Sequence, residues 1–288
     1  MDLANKLCVV TGANAGIGKE VAQAFASRGA YLVMICRNEE RGLKARDDIV
    51  RATGNSGVEV LLADFAWQYE IREVASHIAA KFEQVDVLVN NAGTVLSHRE
   101  ETLDGVEKTF AINHLAPFLL TNLLMERLLA APDGRVVTVS SGAHRTGAGA
   151  FHLGNLQLDT SWSSYRAYGL SKLCNIMFTH ELARRTRGTA LSAFSMHPGV
   201  VNTRLTKEAG WLTRMAWNLG RPFMRSPEKG AETIVWLAED DRVPERTGGY
   251  FKDRSEQEPH PLARDNELTE ELWEISARLC SLGTEAQV

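Results

Sequence analysis

The stretch "KLCVVTGANAGIGKEVAQAFASRG", residues 6–29, decides the fold and also predicts a place where a phosphate can bind. It begins as a short apolar strand, passes through a glycine-rich turn and continues as an amphipathic helix. The glycines permit a tight turn and a close approach to a pyrophosphate, and the N-terminus of the following helix offers unpaired N–H groups. The strand before the turn and the helix after it are the context that this motif requires. The predicted dinucleotide-binding residues of this turn are Gly12, Asn14, Gly16, Ile17 and Gly18.

The rest of the chain alternates short apolar runs with amphipathic helical stretches. The apolar runs are nearly continuous, as expected of parallel strands that are covered on both faces. Six runs are predicted to be strands, at residues 6–12, 30–37, 57–64, 85–93, 135–141 and 190–196. Helical stretches between such strands indicate repeated βαβ units. We therefore predict an α/β fold, with one doubly wound Rossmann-type domain over residues 1–288, a parallel sheet of about seven strands and helices on both faces.

Residues from about 200 to 226 depart from this alternation, because they are rich in Trp, Arg and Met. We predict that they form a helical substrate lid inserted into the domain. Five side chains are expected to line a substrate pocket: Trp211, Met215, Trp217, Phe223 and Met224. Ordinary helix packing explains this stripe equally well, and the amphipathic segment 211–224 also leaves open a peripheral contact with a membrane surface.

Charge and composition argue against several other classes of protein. The net charge of −4 and the scattered Lys and Arg argue against a nucleic-acid partner. The four cysteines and eight histidines form no metal-binding pattern, so we expect no metal site. The chain opens without a signal peptide and has no apolar stretch of about 20 residues, so we expect no transmembrane segment and a cytoplasmic location.

The end of the second predicted strand indicates which dinucleotide the turn would bind. NAD-binding proteins usually place Asp or Glu there, where it bonds the ribose 2′-hydroxyl. This chain has "ICRNEER" at residues 35–41, with Cys36 and Arg37 in place of the acid. Arg37 can pair with a 2′-phosphate in a bidentate contact, although a solvated Arg at a strand end is common. The missing carboxylate predicts NADP, with NAD as the less favoured cofactor.

A tyrosine and a lysine four residues apart predict acid–base chemistry. Of the five tyrosines, Tyr168 is the one with a lysine, Lys172, at this spacing, and both fall in a predicted helix whose i and i+4 positions share a face. Reduction of a carbonyl needs a proton for the emerging alkoxide, and a free phenol with a pKa of about 10 is poorly matched to neutral pH. A nearby ammonium favours the phenolate, so we expect Lys172 to lower the pKa of Tyr168.

These motifs resemble the short-chain dehydrogenase/reductase family over nearly the whole chain. The GxxxGxG spacing of the first turn is similar to that of the family. Three segments resemble its retinol dehydrogenase branch: "NHLAPFLLT" (113–121), "YGLSKLCNIMFTHELARR" (168–185) and "HPGVVNTRL" (197–205). The resemblance implies an oxidoreductase that transfers hydride between NADP(H) and an apolar aldehyde, ketone or alcohol. Vertebrate members of this branch usually carry an N-terminal membrane anchor, and we expect none in this chain.

The resemblance also implies roles for individual residues. The catalytic group would be Asn113, Ser141, Tyr168 and Lys172. Ser141 would hold the substrate oxygen, although a serine at a strand end, such as its neighbour Ser140, is often only a turn former. Asn113 would kink its helix and hold a water bonded to the lysine. Further cofactor contacts would come from Asp64, Asn90, Gly93, Pro198, Gly199 and Thr203.

Two other classes of function remain open at this point. A non-catalytic NADP-binding sensor or scaffold shares the fold, but such proteins typically lose the tyrosine or the lysine. A protochlorophyllide-reductase-like enzyme or a sugar-nucleotide epimerase shares the Tyr–Lys pair, although the epimerases have a different glycine spacing. The expected partner is a small apolar molecule, and a homo-oligomer is compatible with the sequence.

Overall fold

The computed structural model describes residues 1–201 and 225–283, and its strands and helices alternate as the apolar pattern predicts. The strands found in these residues are β1 (Leu7–Thr11), β2 (Tyr31–Cys36), β3 (Val58–Leu62), β4 (Val87–Asn90), β5 (Arg135–Val139), β6 (Ser192–Met196), β7 (Tyr250–Lys252) and β8 (Ser255–Gln257). They form one sheet in the order β3-β2-β1-β4-β5-β6-β7-β8. All neighbours are parallel except β7 and β8, which are antiparallel.

In the described residues, helices connect the successive parallel strands, and a final helix follows β8. They are α1 (Gly16–Ala26), α2 (Glu39–Thr53), α3 (Gln68–Lys81), α4 (Lys108–Phe110), α5 (Ala116–Leu123), α6 (Met125–Leu129), α7 (His144–Gly147), α8 (Ser164–Arg185), α9 (Pro227–Glu239) and α10 (Asn266–Leu279). A π-helical turn, Ala111–Leu115, joins α4 to α5. Short 3-10 helices lie at Ala148–Ala150, Leu153–Asn155, Val243–Arg246 and Pro261–Arg264.

The sheet is covered on both faces, which confirms the predicted doubly wound fold. Phe25 of α1 and Ile234 of α9 belong to the apolar core under one face. Phe118 of α5 and Leu173 of α8 belong to the core under the other face. Because both faces are buried, the parallel strands need apolar side chains on both sides, and this need explains their continuous apolar runs.

The described residues add one antiparallel strand, β8, to the predicted sheet of about seven parallel strands. Asp253 and Arg254 form the two-residue turn between β7 and β8, with φ values of 52° and 59°. Hairpin turns of this kind usually contain Gly or Asn at positions of positive φ, so this turn lacks the usual sequence signal. The β8 residues are also exposed, and an exposed strand carries no apolar pattern that would predict it.

The C-terminal helix α10 packs against the helices that flank the sheet near its centre. The Trp273 ring lies 4.8 Å from that of Phe118 in α5 and 5.7 Å from that of Phe178 in α8, measured between centroids. The guanidinium of Arg185 lies 4.6 Å from the centroid of the Trp273 ring. Burial of these rings holds α8, which carries Tyr168 and Lys172, against the sheet.

The predicted substrate lid, at residues 200–226, lies almost entirely outside the described residues. The same is true of its five proposed lining side chains, Trp211, Met215, Trp217, Phe223 and Met224. Val201 and Arg225, the described residues of this segment that stand on either side of the gap, form an isolated parallel bridge with each other. Of the helices that the structure describes, none is long and apolar enough to cross a bilayer.

The close packing of the first turn makes Gly18 a test of the fold. A Cβ at Gly18 would lie 2.4 Å from the carbonyl oxygen of Gly12 and 2.5 Å from Nδ2 of Asn91. We expect Gly18→Ala to lower the free energy of unfolding by about 1–3 kcal/mol, the usual cost of overpacking, as measured by urea denaturation. Gly149→Ala is the control, because its Cβ would meet nothing within 4 Å. Equal stability of Gly18→Ala and the wild-type protein would show that the turn can relax.

Candidate active site

The glycine-rich turn lies between β1 and α1 and is shaped to admit an anion. Gly12 and Gly16 have φ values of 66° and 55°, a region that favours glycine. The helix begins at Gly16, and the residue before it, Ala15, has no side chain that could accept its first N–H groups. Such a helix N-terminus attracts a phosphate through its N–H groups and its dipole.

A cavity of about 1070 Å³ lies where the carboxyl ends of the parallel strands meet the helices that follow them. This edge of an open α/β sheet is where ligands usually bind. The cavity brings together thirteen of the predicted site residues: Gly12, Asn14, Gly16, Ile17, Gly18, Arg37, Asp64, Gly93, Ser141, Tyr168, Lys172, Pro198 and Gly199. Residues that are far apart in sequence therefore line one continuous space.

Three predicted site residues are not among those that line the cavity. Nδ2 of Asn90 donates a hydrogen bond to Oγ1 of Thr121 at 3.0 Å, so its side chain is buried behind the strand. Asn113 is fully buried, and Thr203 lies outside the described residues. The next residue, Asn91, lines the cavity instead of Asn90. Successive side chains of a strand point to opposite faces, and this alternation is the signal that could have selected Asn91.

Asn91 fastens the end of β4 to the glycine-rich turn. Its Nδ2 donates to the carbonyl oxygen of Thr11 at 2.9 Å. Oγ1 of Thr11 in turn accepts from the backbone N–H groups of Asn91 and Ala92 at 2.9 and 3.0 Å. The turn is thereby held against the central strands by hydrogen bonds on both sides.

The end of the cavity beside β2 is basic. Arg37 and Arg41 both line it, and both side chains are exposed. Asn38 lies between them and caps α2, its Oδ1 accepting from the backbone N–H of Arg41 at 3.0 Å. Asp64 lines the cavity too, and its Oδ1 accepts from the backbone N–H of Ala66 at 3.0 Å. Asn38 and Arg41 were not among the predicted site residues; they follow the end of β2, as the cap and in the first turn of α2.

The two serines after β5 have different environments. Oγ of Ser140 donates to the backbone carbonyl of Lys172 at 2.7 Å and is buried. Ser141 lines the cavity, accepts from the N–H of Ala143 at 3.2 Å and forms a side-chain hydrogen bond with Tyr168. Ser140 therefore joins β5 to α8, while Ser141 presents its hydroxyl beside the phenol.

Burial dominates the titration of the Tyr168–Lys172 pair. It raises the pKa of Tyr168, and the hydrogen bond with Ser141 opposes that shift. Burial also lowers the pKa of Lys172 to about 8. Nζ of Lys172 lies 5.6 Å from the centroid of the Tyr168 ring and donates to the carbonyl oxygen of Val139 at 3.0 Å. The structure thus differs from the expectation that Lys172 lowers the pKa of Tyr168, because desolvation of the half-buried phenol favours its neutral form.

Asn113 lies in the π-helical turn, and its side chain joins three parts of the fold. Oδ1 accepts from the backbone N–H of Thr94 at 2.7 Å, and Nδ2 donates to the Thr94 carbonyl at 2.9 Å. Nδ2 also donates to Oγ of Ser171 in α8 at 3.0 Å. A Cβ at Gly93 would lie 3.2 Å from Oδ1 of Asn113 and 3.5 Å from Nζ of Lys172, so this approach requires a residue with a minimal side chain. Asn113 therefore does not line the cavity but hydrogen-bonds two segments next to it, at Thr94 and Ser171.

His197 and Tyr165 also line the cavity and were not selected from the sequence. Burial lowers the pKa of His197 to about 4, so its imidazole is neutral near pH 7. Tyr165 lies one turn before Tyr168 on α8 and is exposed. The part of the chain that the structure describes holds no cluster of three or more His, Cys, Asp or Glu that could bind a metal ion.

Comparison with known proteins agrees with this geometry. The short chain dehydrogenase family model matches residues 6–211. Human retinol dehydrogenase 12 is 39% identical over 98% of this chain and 88% of its own length. Human retinol dehydrogenase 13 is 38% identical over 96% of this chain and 85% of its own length.

Solved structures show the same fold. A crystal structure of an uncharacterized protein from Mycobacterium paratuberculosis is 31% identical, with a TM-score of 0.78, and covers 97% of this chain and 95% of its own. A short chain dehydrogenase from Escherichia coli CFT073, complexed with NADPH, is 25% identical, with a TM-score of 0.68, and covers 87% of this chain and 97% of its own. The family match spans most of the chain, and the two retinol dehydrogenases are similar over nearly all of it. The chain belongs to the short chain dehydrogenase family and is an oxidoreductase of that family related to the retinol dehydrogenases.

Proposed function

We propose that this protein is an NADP-dependent oxidoreductase that transfers hydride between NADP(H) and an apolar aldehyde, ketone or alcohol. The observation that carries the proposal is the single cavity, in which the glycine-rich turn and the Ser141–Tyr168–Lys172 group share one space. A cofactor held by the turn and a substrate held beside Tyr168 would then lie in contact in the same cavity. We further propose that residues 1–288 act as one catalytic unit in the cytoplasm. The four free buried thiols are compatible with a reducing compartment.

The lining residues fit a dinucleotide that carries a 2′-phosphate. The N-terminus of α1 would hold the pyrophosphate, and Gly18 lets the turn pack closely against Asn91. Arg37 and Arg41 would hold the 2′-phosphate, which guanidinium groups bind through charge-assisted hydrogen bonds. The Escherichia coli relative was solved with NADPH. NAD lacks this phosphate and would not use these two positive charges.

A bound nicotinamide cofactor would supply the hydride in reduction and accept it in oxidation. Tyr168 then gives its phenolic proton to the carbonyl oxygen, and Ser141 holds that oxygen with a second hydrogen bond. Because burial raises the pKa of Tyr168, the phenol keeps its proton at neutral pH, which is the form that reduction needs. Lys172 would hold the ribose through N–H groups other than the one that bonds Val139, since an ammonium has three donors. Asn113 fixes the backbone at Thr94, beside the reacting centre.

An apolar substrate fits part of the cavity wall. Val95, Ile112 and Val200 line the same cavity as Tyr168. Val200 is 59% exposed, so its apolar side chain is available to a ligand in the described part of the chain. The relatives named retinol dehydrogenase support a substrate of this kind. A screen of aldehydes, ketones and alcohols of graded apolarity, followed by NADPH absorbance, tests the proposal, and no turnover across the series would contradict it.

We expect Tyr168→Phe to retain cofactor binding and lose turnover. The variant removes the proposed proton donor, and loss of a general acid costs about 10²–10⁴-fold in kcat. Steady-state kinetics and NADPH fluorescence titration measure the two effects separately. Tyr69→Phe is the control, because Tyr69 is exposed and its hydroxyl bonds only its neighbour Glu70 among the described residues. Residual activity within about tenfold of wild type would remove Tyr168 from the proposed role.

We expect Arg37→Asp to shift the cofactor preference from NADP toward NAD. The carboxylate repels the 2′-phosphate and can accept from a 2′-hydroxyl, so the ratio of kcat/KM values should move by about tenfold or more, the worth of one charge-assisted hydrogen bond. Arg51→Asp is the matched control, because it makes the same charge change on α2 at a side chain that is 77% exposed and outside the cavity lining. An unchanged ratio in Arg37→Asp would reject the cofactor assignment.

The rate of carbonyl reduction should be nearly constant from about pH 6 to 7.5 and fall above about pH 8. The raised pKa of Tyr168 keeps the phenol protonated over the lower range, and His197, with its pKa lowered to about 4, stays neutral there. The pKa of Lys172, lowered to about 8, means that its positive charge is lost as the pH rises through that value. The pH profile of kcat measures this, and a large change in rate between pH 6 and 7 would contradict it.

A further inference from the structure

A buried chain of polar side chains runs from the C-terminal helix to the ammonium of Lys172. Ser276 of α10, His114 of the π-helical turn and Asn175 of α8 are each at most 1% exposed. Nε2 of His114 lies 2.9 Å from Oγ of Ser276, and its Nδ1 lies 3.4 Å from Oδ1 of Asn175. Buried polar groups that meet in this way are costly unless each finds a partner, so their pairing calls for an explanation.

This series of hydrogen-bonded side chains ends on the carbonyl oxygen that accepts a hydrogen bond from Lys172. Nδ2 of Asn175 donates to the oxygen of Val139 at 3.3 Å, and Nζ of Lys172 donates to the same oxygen at 3.0 Å. A carbonyl oxygen has two lone pairs, so both donors can be accepted together. The side chain of Asn175 therefore fixes the direction of the acceptor on which the ammonium rests.

Only one direction of hydrogen bonding is consistent along this chain. Because Nδ2 of Asn175 faces the Val139 carbonyl, its Oδ1 faces His114, and Nδ1 of His114 must carry the proton. Burial lowers the pKa of His114 to about 3, so the ring is neutral and its Nε2 must accept. Ser276 has one hydroxyl hydrogen and two acceptors in reach, Nε2 of His114 and the Leu272 carbonyl at 2.8 Å. If Nδ1 of His114 carries the proton, the Ser276 hydroxyl donates its hydrogen to Nε2 of His114.

The π-helical turn thus contacts α8 on both sides of Lys172 along the sequence. Asn113 donates to Ser171, and its neighbour His114 donates to Asn175. Ser171 and Asn175 are four residues apart and share one face of α8. Two successive residues of the turn therefore hold the short segment of α8 that carries the lysine.

We propose that His114 and Asn175 are positioning residues, which fix the Val139 carbonyl and through it the ammonium of Lys172 in the catalytic cavity. This role rests on the proposed function, because it matters only if Lys172 serves the cofactor and Tyr168. Neither side chain lines the cavity, so neither touches the reacting atoms. Any effect of theirs on turnover must therefore pass through the position of Lys172.

The role is tested with His114→Leu and Asn175→Leu, which replace the hydrogen-bonding groups by apolar side chains. We expect kcat for aldehyde reduction to fall about tenfold to hundredfold, because displacement of a reacting group by about 1 Å can cost that much. KM for the aldehyde should stay nearly constant, since the substrate walls are untouched. Asn122→Leu is the control, because Asn122 is a buried amide of α5 that bonds only the Phe118 carbonyl among the described residues.

Two amide variants separate positioning from simple packing. In His114→Asn, the amide N–H lies near the place of Nδ1 and should restore most of kcat. In His114→Gln, the amide reaches the place of Nε2 instead and should remain as slow as His114→Leu. Both variants are polar, so they serve as the test if the leucine variants do not fold. Equal kcat in the Asn and Gln variants, or folded leucine variants with wild-type kcat, would overturn the positioning role. A wild-type protein that reduces no aldehyde with NADPH would overturn the proposed function, and the positioning role with it.

Discussion

The buried ammonium of Lys172 is the constraint on which the arrangement of the site depends. A buried charge costs several kcal/mol unless it is well paired, and the structure pairs this one with the carbonyl at the end of β5. Ser140, the next residue, donates to the backbone carbonyl of Lys172, so strand and helix are joined twice at this point. Ser141 and Tyr168 extend from the same two segments, and their hydrogen bond follows from that junction. The junction that stabilises Lys172 therefore also places Ser141 and Tyr168 beside each other.

The parallel sheet brings the other parts to the same edge. Its strands end side by side, so the turn after β1, the Asn91 segment after β4 and the Ser140–Ser141 pair after β5 lie near one another. Asn91 bonds the first of these to the second, and Asn113 bonds the residues after β4 to α8. The cavity is therefore bounded by backbone that hydrogen bonds within the protein hold in place. Such preorganisation lowers the cost of holding two reactants in line.

The sequence predicted the elements that depend on local pattern. Continuous apolar runs indicated the buried parallel strands, and glycine spacing located the turn before α1. Strand β8 was missed because it is exposed and its turn lacks glycine. The motif contains both Asn90 and Asn91 and does not say which side chain faces the ligand. Successive side chains point in opposite directions, and in the structure Asn91 faces the cavity while Asn90 is buried.

The pKa values of the site residues were the property hardest to predict from the sequence. A lysine four residues from a tyrosine suggested a lowered phenol pKa, but the depth of burial reverses the shift, and burial is set by the whole fold. The hydrogen bonds of His114 are hidden for the same reason, because they join residues 114, 175 and 276 across three segments of the chain. No spacing along the sequence relates such positions.

Transfer of deuterium is the measurement that tests hydride chemistry most directly. NADPH is labelled with deuterium at one of the two C4 positions of the nicotinamide, and each labelled form is incubated separately with the protein and an apolar aldehyde that it reduces. The alcohol is then examined by mass spectrometry and NMR. Direct transfer in one cavity predicts an alcohol with one deuterium on the former carbonyl carbon, delivered from one of the two labelled C4 positions only. An alcohol without deuterium, or label arriving equally from both positions, would contradict a reaction held in fixed geometry beside Tyr168.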